Sequence, residues 1–195
     1  MTKTKTLDPT DVATQVEKAS QNGGDPSIVT MSTGIQFKVR PVSKHALASI
    51  SERYSKRKPQ VPILHIESKG RKEPNYDDPD YQDALYSWTV SLSMAVNNYL
   101  LLRGADLIED TIPENTTRHD SSEWQEEMEI IGSNPDNSRA CYLEWIKIVA
   151  APENEYISKD GKTIRGDIPK LLYAIGRASG TAVEDVDEAV DNFQR

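Results

Sequence analysis

Residues 79–104, PDYQDALYSWTVSLSMAVNNYLLLRG, constrain the chain more than any other stretch. Leu85, Trp88, Leu92, Ala95, Val96, Tyr99 and Leu102 recur at three- and four-residue intervals, which lines one face of an α-helix. The spacing predicts a helix from Pro79 to Arg103, roughly 37 Å long at about 1.5 Å per residue. Gly104 stands where a helix-terminating glycine belongs. Such a helix is the spine around which the rest must pack.

The entrance to this helix, PNYDDPDYQDALYSW at 74–88, crowds Asp77, Asp78, Asp80 and Asp83 among tyrosines and raises the question of a metal site. An EF-hand loop counted from Asp78 needs glycine at its sixth position and glutamate at its twelfth, where this chain has Asp83 and Thr89. As a helix start the residues fit: Asp78 as N-cap, Pro79 at the first position where no amide is needed, and Asp80 near the positive helix end. Neither metal nor cofactor is expected here.

Around the spine the pattern predicts a mainly α, α+β fold with a small N-terminal β element. Residues 1–27 are rich in Thr, Ser, Gly and Asp and read as a flexible arm, ahead of a single domain over 28–195. Within 28–75, the Thr33–Gly34 turn separates two β-branched runs, a basic helix follows Ser43 with Leu47, Ile50 and Tyr54 on one face, and VPILHIES gives an edge strand. Residues 76–150 form the helical core, with short helices around Trp124 and Met128 and along RACYLEWIKIVA, whose stripe is Cys141, Trp145, Ile148 and Val149. Residues 151–195 carry a loop with a small hairpin turned at Asp160–Gly161, then two helices divided by Gly180.

Charge is partitioned along the chain. Lys38–Lys72 holds ten basic residues against two acids, whereas Glu73–Glu144 holds three against sixteen. Adjacent blocks of opposite sign can pair between copies, and the acidic block repels a phosphate backbone. The last segment, TAVEDVDEAVDNFQR, has five acids and one arginine, so it is no recognition helix for DNA. Nucleic acid is therefore an unlikely partner by composition, with a nucleic-acid-binding regulator the weaker alternative.

Catalytic signatures fail one by one. His45, His65 and His119 share no metal-ligating spacing, and His65–Ile66–Glu67 lacks the cysteine pair that would complete a zinc deaminase. Gly161–Lys162–Thr163 lacks the upstream glycine of a phosphate-binding loop, where Tyr156 stands instead. The lone Cys141 sits in an apolar run and reads as a buried thiol. No apolar stretch approaches the roughly 20 residues that span a bilayer. The expectation is a soluble, intracellular, non-enzymatic protein that does not engage membranes.

The order of elements carries a resemblance. PQVPILHIES, a charged turn, and NYDDPDYQDALYSW opening a long helix that ends LLLRGADL resemble the tail assembly chaperones of long-tailed bacteriophages. The match rests on Pro59, Val61, Pro62, Asn75, Asp78, Pro79, Asp80, Tyr81 and Trp88. CYLEWIKIVA and GTAVEDVDEAVDNFQR resemble the family's later helices, so the likeness spans about residues 35–195. One departure is that Asn75 is followed by Tyr76 rather than the family's proline.

The resemblance implies a chaperone that coats the tape measure protein, keeps it soluble, helps recruit tail tube protein in the host cytoplasm, and is absent from the mature virion. The alternative it leaves is a minor structural or connector protein of the tail. The apolar stripes then have two readings, core packing or client groove, and Trp88, Leu92, Tyr99, Trp145 and Phe193 are the candidate partner-binding residues. Self-association of the basic 38–72 block with a neighbour's acidic 73–144 block would array copies along a client.

Overall fold

The computed structural model describes residues 25–66, 70–151, 156–157, 163–164 and 166–180. The proposed N-terminal arm up to residue 24 and the final helix, with Phe193, lie outside the described residues.

β1 (Ile28–Thr30) and β2 (Gln36–Val39) form the expected antiparallel hairpin, turned at Gly34, whose φ of 88° suits glycine. β2 alternates as a strand over a core should, burying Phe37 and Val39 and exposing Lys38. α1 (Lys44–Ser55) starts at Ser43, whose side chain accepts from the Ala46 amide. β3 (Ile63–Ile66) pairs with β4 (Arg71–Pro74), a charged strand that the sequence pattern does not announce. The single edge strand expected at VPILHIES is thus half of a second hairpin.

α2 (Pro79–Gly104) is the long helix. Asp78 caps it as predicted, its carboxylate accepting from the Tyr81 amide at 3.0 Å with Pro79 in the first turn. Its C-terminal end departs from expectation. Gly104 remains helical, and the chain runs straight into β5 (Ala105–Leu107), which pairs with β2 and completes a three-stranded antiparallel sheet in the order β1-β2-β5. Glycine is needed at 104 for a different reason: a Cβ there would overlap the Ile175 side chain and stand 3.0 Å from Val42. The residue is a close-packing contact, not a terminating glycine.

α3 (Ser122–Ile130) is capped by Ser121, which accepts from the Trp124 amide at 3.2 Å, while the preceding Asp120 pairs with Arg118. Gly132 closes it with a φ of 78°. α4 (Ser138–Trp145) continues into a π-helical turn over Ile146–Ala150, closed by the Ala151 amide donating to the Ile146 carbonyl at 2.7 Å. The wider turn shifts the buried face. Ile146 and Ala150 go into the core, and Ile148, placed on the stripe by α-helical spacing, is exposed.

β6 (Tyr156–Ile157) and β7 (Thr163–Ile164) pair as the expected small hairpin, and α5 (Asp167–Ala178) follows. α5 buries Ile168, Leu171, Leu172 and Ile175, and Gly180 ends it with a φ of 64°. Buried Asp167 accepts from the Ser32 amide at 2.7 Å and the Ser32 hydroxyl at 2.6 Å, tying α5 to the β1–β2 turn. The result is a mixed α+β fold around one long helix, with its small antiparallel sheet toward the N-terminal side. No described helix is long and apolar enough to cross a membrane.

Candidate interaction surface

The core gathers Phe37 and Val39 from the sheet, Trp124 and Met128 from α3, Cys141, Trp145 and Ile146 from α4 and its π turn, and the apolar face of α5. Of α2 it takes in the last turns only: Leu101 is buried, and Tyr99, Leu100 and Leu102 pack against it. Between Tyr81 and Leu101 no side chain of α2 is fully buried. The helix starts at Pro79, 20 residues before Tyr99, so on the order of 30 Å of it, exposed and polar at Asp80, Gln82, Asp83, Ser87 and Ser91 and buried only at Tyr81, lies beyond the core cluster.

The apolar residues of that extension are numerous and surround the helix. Leu85, Trp88, Val90, Leu92, Ala95 and Val96 are half-buried, while Tyr86 and Met94 are exposed. α1 supplies part of their cover with half-buried Ile50 and Tyr54, at the spacing the sequence predicts, while Leu47 packs against the core. Trp88 fixes the two helices together. Its indole Nε1 donates to the Tyr54 carbonyl at 2.9 Å, and the Lys58 ammonium stands 5.6 Å from the ring centroid, within cation–π range. Arg53, Lys56 and Arg57 surround this end of α1 with exposed positive charge.

The five partner-binding candidates separate in space. Trp88 and Leu92 lie together on the half-covered extension of α2. Tyr99 packs against the core. Trp145 is fully buried, its Nε1 donating to the Thr117 carbonyl at 2.7 Å and its ring edge-on to His119, so its place is in the packing and it is withdrawn from the candidate surface. Phe193 lies outside the described residues.

The surface also includes residues that the stripe analysis passes over: Tyr76, Tyr86 and Met94 on or before α2, and Ile63 and Leu64 on β3, all exposed. A signal for the α2 residues does exist in the sequence. Tyr86, Val90 and Met94 fall off the stripe, and a helix apolar on more than one face needs more than one partner. Ile63 and Leu64 carried no comparable signal, because alternating burial predicts that one of them faces a core.

The only strongly displaced titration within the fold's interior is that of Tyr142 among the described residues. Burial, reinforced by the negative charges of Glu109 and Asp106, pushes its hydroxyl up to about 12 from 10.0. Its ring lies edge-on to His119, with centroids 5.1 Å apart, and His119 Nε2 is 3.1 Å from Glu109. Arg118 completes the group by pairing with Glu109 at 2.6 Å. These contacts tie the 109–119 loop to α4. Among the described residues no three His, Cys, Asp or Glu side chains cluster as metal ligands.

Comparison of the chain with protein-family models, with curated proteins and with solved structures finds no match.

Proposed function

We propose that this chain is a non-enzymatic phage tail assembly chaperone, which binds the tape measure protein through the extension of α2 and the neighbouring α1, keeps it soluble, and helps bring tail tube subunits to it. The observation that carries the reading is the half-covered apolar helix. Leaving Trp88, Val90, Leu92, Met94 and Val96 partly in water is costly for a monomer, and is what a holdase for an amphipathic helix requires. The residues that carry the resemblance, Asp78, Pro79, Tyr81 and Trp88, lie in the cap and first three turns of that helix.

The work is assigned to the host cytoplasm, before the particle is complete. Co-expression tests it. The tape measure protein should stay in the soluble fraction with the wild-type chain and move to the pellet with a Trp88→Asp/Leu92→Asp variant that retains the wild-type circular dichroism. Purified virions should lack the chain; finding it there in stoichiometric amount would replace the chaperone with a tail connector protein.

A further inference from the structure

The half-covered seam between α1 and α2 starts where the chain leaves α5, with residues 181–195, TAVEDVDEAVDNFQR, still to follow. Two hydrogen bonds fix that exit. The Val42 amide donates to the Ser179 hydroxyl at 2.9 Å, and the Lys44 ammonium donates to the Gly180 carbonyl at 2.8 Å. Lys44 is the first residue of α1, so the chain departs beside the start of that helix. α1 then runs back along α2, from Val42 beside Gly104 to the Tyr54 carbonyl that holds Trp88. A segment leaving Gly180 in the same direction follows the seam.

The pattern of 181–195 suits that path. Val183, Val186, Val190 and Phe193 recur at helical spacing, and Thr181 and Glu184 stand at capping-box spacing. From Val183 to Phe193 the stripe is roughly 15 Å long at about 1.5 Å per residue. The same length of α2 separates Leu102 from Leu92, so the stripe spans half-buried Tyr99, Val96 and Leu92 and leaves Trp88 beyond its end.

Charge selects the same surface. Asp187 and Asp191 each follow a stripe residue by one position, which places them on one flank of the stripe, one helical turn apart. Arg53 and Arg57 have the same spacing and are exposed at the end of α1. Lys56 between them pairs with Glu52 at 3.0 Å, whereas Arg53 and Arg57 have no acidic partner among the described residues. The depths agree as well: counted from Lys44 and Gly180, Arg53 is roughly 14 Å along α1, and Asp187 and Asp191 are roughly 10 and 16 Å along the segment.

We infer that residues 181–195 dock as an amphipathic helix on the α1–α2 seam of their own chain, the valine stripe over Leu92, Val96 and Tyr99 and Asp187 and Asp191 paired with Arg53 and Arg57. The tether favours this occupant over a second copy, because a short connection gives an effective concentration in the millimolar range. The contact goes beyond client binding and requires no client.

Hydrogen exchange of the full chain, followed segment by segment with no client present, tests it. Amides of 183–193 should exchange at least about tenfold more slowly than an unprotected chain, and dilution should leave that protection unchanged. Val186→Ser/Val190→Ser and the surface variant Arg53→Glu/Arg57→Glu should each return the segment to the unprotected rate, while α3 and α4 keep theirs. Adding Asp187→Arg/Asp191→Arg to the arginine variant should restore protection.

A segment unprotected in the wild type, protection that survives Arg53→Glu/Arg57→Glu, or a charge reversal that fails to restore it would each overturn the inference. Protection that fades on dilution would give the seam to a second copy and overturn it too. The co-expression result, in either direction, leaves these outcomes unchanged.

Discussion

A methyl group at residue 104 has nowhere to go. Its position is taken by Ile175 and crowded by Val42, so Gly104→Ala should destabilise the fold by about 1–3 kcal/mol, the usual cost of overpacking. In an Ile175→Ala background the same change should cost clearly less, as a double-mutant cycle by urea denaturation would show. Asp78→Ala should cost about 1 kcal/mol, the loss of one N-cap, with no calcium-dependent change in Tm. Tyr142 supplies a pH signature. Its hydroxyl loses its proton near 10 when unfolded and near about 12 when folded, so the stability it confers is full below pH 10 and falls away as pH climbs toward 12. Tyr142→Phe should flatten that fall in thermal melts taken between pH 9 and 12. The two glycine and aspartate cases also mark what sequence can carry: Asp78 acts on amides three residues away and was legible, whereas the partner of Gly104 lies on α5 and no local pattern names it.

At the scale of elements, the long helix, the first hairpin, α1, α3 and α5 follow from periodicity and capping residues. The missed pieces each depend on something nonlocal or irregular. β5 is three residues of no distinct β pattern that become a strand because β2 offers an edge where α2 stops. β4, RKEP, is too charged to be recognised alone and exists as the partner of β3. The π turn after Trp145 inserts a change of pitch that moves Ile148 out and Ile146 in. The elements also divide the tryptophans by task. Trp145→Ala should cost about 3–5 kcal/mol, as for a large core aromatic. Trp88→Ala, on the partly covered extension, should cost about 1 kcal/mol in urea denaturation and chiefly weaken the proposed client binding.

The molecule as a whole has a packed end and an extended end. Its core is complete around the sheet, α3, α4 and α5, while α1, the first part of α2 and the β3–β4 hairpin keep apolar surface half in water. The charge partition visible along the sequence persists on the surface, with exposed Arg53, Lys56 and Arg57 at the end of α1 and exposed Glu123, Glu126, Glu127 and Glu129 on α3. The sequence could not disclose that the predicted stripe of α2 reaches the core only at Tyr99 and Leu102, because periodicity reports a face that wants burial and not the chain that supplies it. We propose that the tape measure protein supplies it, and tryptophan fluorescence can read this directly. The chain has three tryptophans, of which Trp124 and Trp145 are fully buried and Trp88 is half-covered. Acrylamide should quench one emitting population in the free chain, and a saturating tape measure segment should remove that accessible population. Complex formation with the quenching of Trp88 unchanged would contradict the account.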